Sequence, residues 1–323
     1  MKLHLNDKDF AQAVQITSIE LGIPVEFVEK DYWICQILQR LSRHEKAERI
    51  VWKGGTSLTK GYRLIKRFSS DVDFAVITEG LGSNQKKQLV LRIGKDTTID
   101  LTEIEDNVAS IKNSRFRKTY HAYPSCLTNR DTKFEFLGNH VIVEINTYGN
   151  PYPFVKLEVT PFITEMMEKR GLNNLIGELD MEPFTLKVLD KRRTLCEKMV
   201  SLIRFSFEED GIKGLSSKIR HFYDLHFLLQ DEECQKYLTG EYPTELKKLI
   251  AHDKREFDRP PLWRGANILT SLLFTDFDAT WRQLSSTYKS EVGALSYGEL
   301  PSPDAIAESM KQLLSITRKA IGN

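Results

Sequence analysis

IVWKGGTSLTKGYRLIKRFSSDVDFAV, residues 50–76, decides the fold, because it reads as strand, glycine turn, helix and strand in one short span. Ile50, Val51 and Trp52 form an apolar run suited to a buried strand. The run stops at Lys53, Gly54 and Gly55, where two glycines permit backbone angles that other residues avoid. From Ser57 the spacing turns helical, with Leu58, Gly61, Tyr62 and Ile65 on one face. Backbone N–H groups at a helix start therefore follow the glycines, and such groups hold phosphate. At residues 71–76 the period becomes two: Val72, Phe74 and Val76 face one way, Asp71, Asp73 and Ala75 the other. Two carboxylates side by side suit Mg²⁺, a hard cation usually held by one or two carboxylates together with substrate phosphates. Glycine turn and carboxylate pair together point to a nucleoside triphosphate.

Working outward, 323 residues suffice for about two domains. Forty-six Lys and Arg nearly cancel 45 Asp and Glu, so net charge argues neither for nor against a nucleic-acid partner. The N-terminus MKLHLNDKDF has no apolar signal core, and no stretch approaches the roughly 18 apolar residues that span a bilayer. A cytoplasmic protein without membrane attachment is expected. Cys35, Cys126, Cys196 and Cys234 show neither CxxC nor Cys/His spacing, so no disulfide framework or zinc site is indicated.

Upstream, residues 10–43 read as two helices, the second opened by Pro24 and carrying Phe27, Val28, Tyr32, Cys35, Leu38 and Leu41 at helical spacing. Lys30 and Asp31 on it are read as solvated or capping charges. Downstream, residues 114–123 interleave cations with aromatics. That composition serves phosphate pairing and base stacking, and equally a half-buried strand with a basic face. In residues 141–146 Glu144 interrupts a β-branched run, where a carboxylate is costly to bury alone. It becomes reasonable on the face carrying Asp71 and Asp73, with Glu158 as the competitor for third carboxylate. Residues 161–183 read as a turn-rich linker, residues 184–188 as a last strand. Helices follow at 192–204 and 218–229, with shorter helical patterns at 246–250, 268–274, 277–284 and 305–321. Lys198 and Asp224 on the first two would, on their own, be an inter-helix salt bridge. The expected division is residues 1–183, N-terminal helices plus an α/β core, and residues 184–323, a helical C-terminal domain.

KGGTSLTKGY and RFSSDVDF at residues 53–62 and 67–74, with EKDYW at 29–33, the Glu144 strand, RTLCEK at 193–198 and RHFYDL at 220–225, resemble the AbiEii/AbiGii toxin branch of the DNA polymerase β-like nucleotidyltransferases. The resemblance spans residues 25–229. It implies an α/β polymerase β-like core with a helical C-terminal domain, and metal-assisted transfer of NMP from an NTP to an acceptor hydroxyl. Asp71, Asp73 and Glu144 would hold Mg²⁺ or Mn²⁺, and Gly54, Gly55, Thr56 and Ser57 would cradle phosphates. Lys198 would face the triphosphate, with Asp224 near the nucleotide. It further implies RNA, at the acceptor end of tRNA, as acceptor, a cognate antitoxin, and a place in phage defence. Ser69 corresponds to a serine suspected of accepting phosphate in relatives, so kinase-like transfer is an alternative; nucleotidylation of a protein or small molecule is another, and a non-enzymatic nucleotide-binding module a third.

Overall fold

The apolar runs predicted as strands do pair, and they build one mixed sheet. The computed structural model describes residues 1–105, 107–128 and 130–322. The strands are β1 (Ile50–Lys53), β2 (Asp71–Val76), β3 (Thr102–Glu103), β4 (Ile111–Lys112), β5 (Phe116–Ala122), β6 (His140–Asn146), β7 (Phe154–Val159) and β8 (Phe184–Leu189). They lie in the order β3-β5-β6-β2-β1-β8-β7, with β4 pairing β5. β1 runs antiparallel to β2 and parallel to β8, and β2 runs parallel to β6. One face of the central strands β2 and β6 is buried and the other carries the carboxylates: Val72, Phe74, Val141 and Val143 are inaccessible to solvent, while Asp71, Asp73 and Glu144 between them are only partly buried.

Helices Asp7–Leu21 and Val25–Ser42 precede the sheet, with Pro24 at the N-cap of the second. Phe27, Val28, Tyr32, Cys35, Leu38 and Leu41 are all buried, as the helical spacing predicts. Lys30 and Asp31 are not solvated, contrary to expectation. Glu29, Lys30 and Asp31 are at most 2% exposed, and each ties the helix to a different part of the chain. Glu29 accepts from Arg130, Ser125 and the Cys126 N–H. The Lys30 ammonium donates to the Leu137 carbonyl, while Asp31 pairs with Lys60 at 3.0 Å and accepts the Phe162 N–H at 2.8 Å. Local periodicity could not show this, because the partners lie 29 to 131 residues away.

Residues 161–183 are no linker. Helices Phe162–Lys169 and Asn173–Glu178 form there, and Phe162, Ile163, Met166, Met167 and Ile176 are buried. The boundary expected at 183/184 also moves, because β8 is hydrogen-bonded along its length to β7 and joins β1. The chain divides into one unit of residues 1–63 and 68–189, and another of residues 64–67 with the chain from Asp190 onward. The second unit is helical, with Lys191–Phe205, Ile219–Leu228, Tyr242–Glu256, Phe277–Thr287 and Pro303–Gly322 as its longer elements. No helix among the described residues is long and apolar enough to cross a membrane. All four cysteines are free thiols.

Candidate active site

Strand register assembles the site in the first unit. Asp73 lies opposite Glu144 in the parallel pair of β2 and β6, so alternation puts Asp71, Asp73 and Glu144 on one face. Glu158 lies on β7, separated from β2 by β1 and β8. The sheet thus brings Glu144, not Glu158, to the aspartates. Desolvation, and then the charges of Glu144 and Asp71, push the Asp73 carboxyl up to about 8, and its side chain hydrogen-bonds Glu144. Antiparallel β5 contributes Lys118 directly opposite Glu144, and its ammonium lies 2.8 Å from the Glu144 carboxylate. Sequence reasoning passed over Lys118. Period two through residues 116–122 separates Lys118 and Tyr120 from Arg117, Thr119 and His121, and was the available signal.

The glycine turn closes on the same face. Gly54 has φ +84°, a left-handed conformation, and a Cβ there would fall onto the carboxylate of Asp73. Glycine is thus required twice over, for the angle and for the close approach. A helix runs from Gly54 through Gly61, its second half widened to π geometry at Ser57–Gly61. It ends before Ile65, which was expected on its face, because Arg63 turns left-handed at φ 54°. The hydroxyls of Thr56 and Ser57 turn inward to the backbone. Both are buried; the Thr56 hydroxyl donates to the Asp71 carbonyl and the Ser57 hydroxyl to the Gly54 carbonyl at 2.8 Å. They brace the turn against β2, leaving partly exposed Gly54 and Gly55 at its surface. Ser69 is 6% exposed and lines a small recess with Asp31, Lys60 and Phe162. Lys30 reaches the site electrostatically: burial pushes its amine down to about 7, against the attraction of Asp71.

Three carboxylates are hard oxygen donors of the kind divalent cations take, and the mutual repulsion that raises the Asp73 carboxyl is what a bound cation would offset. Their donor chemistry fits Mg²⁺ or Mn²⁺. Among the described residues, however, no three acidic, His or Cys side chains already enclose one point, and Glu144 is drawn towards Lys118.

Lys198 and Asp224 meet in the second unit. Asp224 is wholly buried on helix Ile219–Leu228, and Lys198 of helix Lys191–Phe205 reaches its Oδ2 at 2.6 Å. Arg67 grips the same carboxylate with two hydrogen bonds of 2.7 and 2.6 Å. Burial works against the charge of Asp224, yet Arg67 and Lys198 hold its carboxyl well below the usual range. Arg67 was not anticipated, although it opens the RFSSDVDF run.

No curated protein matches the chain. Among solved structures it is similar to the nucleotidyltransferase toxin MenT4 of Mycobacterium tuberculosis H37Rv, at 16% identity and a TM-score of 0.48 over 97% of this chain and 98% of that one. The model of the nucleotidyl transferase AbiEii toxin family, of type IV toxin–antitoxin systems, matches residues 36–309. That match takes in the glycine turn, the three carboxylates and the Lys198 and Asp224 helices, and the chain belongs to the AbiEii nucleotidyltransferase toxin family.

Proposed function

We propose that this nucleotidyltransferase moves NMP from an NTP to a hydroxyl of RNA, at the acceptor end of tRNA, as a cytoplasmic phage-defence toxin restrained by a cognate antitoxin. The observation that carries the chemistry is the meeting of Asp71, Asp73 and Glu144 with the Gly54 turn on one sheet face. Asp71, Asp73 and Glu144 would hold Mg²⁺ or Mn²⁺, which neutralises charge on the triphosphate and lowers the acceptor hydroxyl's pKa. The protein's own contribution is positioning. Gly54 lets the chain pass against Asp73 without a side chain between them, and Gly55 leaves backbone accessible to phosphate oxygens. Lys118 fixes the direction of the Glu144 carboxylate. For Lys198 and Asp224 the support for a nucleotide role is the family resemblance. RNA is favoured as acceptor by the same resemblance.

The test labels each NTP in turn at the α- or γ-phosphate, with Mg²⁺ and total cellular RNA and protein. Retained α-label in RNA of tRNA size, absent with Asp71→Ala, is the expected outcome. γ-Label on protein that disappears with Ser69→Ala would instead establish phosphoryl transfer, for which the buried Ser69 hydroxyl must first become accessible. Bound NTP without transfer to RNA, protein or small-molecule acceptors would leave only a binding module.

A further inference from the structure

The rear face of the sheet holds a feature that the carboxylate chemistry does not use. A cavity of about 430 Å³ lies between helix Ser83–Thr97 with the turn after it and strands β5 and β6. Alternation along β5 makes its floor: Lys118 faces Glu144 at the front, so Arg117, Thr119 and His121 face the rear. Leu91, Ile99 and Ile145 give one side an apolar lining, while Arg117 and Lys95 supply positive charge. Glu103, the one acidic residue of that lining, is already matched by Lys112 at 2.7 Å.

His121 is the telling group. It is 4% exposed, its Nε2 lies 2.9 Å from the Thr119 hydroxyl, and its Nδ1 is buried with no hydrogen-bond partner among the described residues. Leaving such an atom unpaired costs about 1–3 kcal/mol, and buried polar atoms in folded proteins are rarely left so. Burial also favours the neutral imidazole, and in the tautomer whose Nε2 accepts from the Thr119 hydroxyl the proton sits on Nδ1, which then donates. The volume lies within the range of small-ligand sites.

We propose that this cavity binds a phosphomonoester of nucleotide size, its phosphate on Arg117, Lys95 and the Nδ1–H of His121, its organic part against Leu91, Ile99 and Ile145. The site is separate from the carboxylates and does not depend on the acceptor or metal assigned to them. Because β5 also carries Lys118, one strand is common to both faces.

The test uses full-length protein with isotope-labelled histidine rings, without divalent metal, titrated separately with AMP and inorganic phosphate. AMP is expected to shift the His121 ring resonances. Arg117→Gln should weaken that response about tenfold or more, a factor equal to about 1.4 kcal/mol of binding energy. Gly94→Leu, which projects a side chain towards Ile145 and into the space, should abolish it, and Asp73→Asn should leave it unchanged. Melting curves identify any variant that fails to fold, and Arg117→Gln alone then carries the comparison. The proposal is overturned if neither probe moves His121, if the shift survives Arg117→Gln, if Asp73→Asn removes it, or if phosphate alone binds as tightly as AMP.

Discussion

Asp73 is the residue at which fold and chemistry conflict, and pH exposes the conflict. Burial, and then the charges of Glu144 and Asp71, push its carboxyl up to about 8 in the folded chain against an ordinary value of 3.8. Between those two pH values the folded state holds a proton that the unfolded state has released, so stability falls as pH rises through this window. Without divalent metal, wild-type protein should therefore lose stability from pH 5 to pH 8.5 more steeply than Asp73→Asn, which has no charge to develop. A difference in melting temperature of about 2–4 °C or more between the two proteins at the upper pH is expected. Parallel pH profiles would show that Asp73 is not held protonated. The same substitution should abolish nucleotidyl transfer, because stability gained and activity lost at one residue mark a group kept for function. Sequence made Asp71 and Asp73 legible because period two needs no partner strand. Gly54 was legible as a turn, but its collision with Asp73 was not, since that depends on how the turn folds back.

Among the elements, β6 and helix Val25–Ser42 show where local pattern succeeds and where it stops. Glu144 could be singled out as a costly carboxylate in an apolar strand and is preferred to Glu158 on the family resemblance, for which the strand order supplies a physical reason. Glu144→Gln should reduce transfer about tenfold or more with little change in melting temperature, while Glu158→Gln should leave the rate intact. The reverse result would place the third carboxylate on the wrong strand. Helix Val25–Ser42 was correctly read from its apolar spacing and misread at its charges. Charged residues are usually exposed, and only long-range partners explain Asp31 beside Lys60 and the Phe162 N–H. Asp31→Ala leaves the Lys60 ammonium buried without its counter-charge, so it should destabilise the fold by about 3–5 kcal/mol in urea denaturation. Adding Lys60→Met should recover much of that loss. A double variant no more stable than the single one would mean that the lost Phe162 contact, not the stranded charge, carries the effect.

At the scale of the whole molecule, the chain crosses between its units three times rather than once, because residues 64–67 belong with the chain beyond Asp190. Composition cannot reveal this: a four-residue excursion has no compositional signature, and β8 looks like the start of something new until its pairing with β7 is seen. The excursion is fastened by Arg67 on Asp224, by the Tyr297 N–H on the Lys66 carbonyl at 3.0 Å, and by a bridge between Arg67 and Ser296. Arg67 and Asp224 are each no more than 2% exposed, so cutting the chain after Leu189 removes the carboxylate that satisfies this guanidinium. The apparent domain of residues 1–189 should therefore not behave as an independent folding unit. Expressed alone, it should melt without a sharp cooperative transition, because residues 64–67 lose their contacts with Asp224, Ser296 and Tyr297. In the full chain Arg67→Leu should destabilise, because it strands the buried Asp224 with Lys198 as its remaining cation. A sharp transition for the fragment would show that residues 64–67 are not bound into the second unit, and an unchanged urea midpoint for Arg67→Leu in the full chain would show that the buried Asp224 does not depend on that guanidinium.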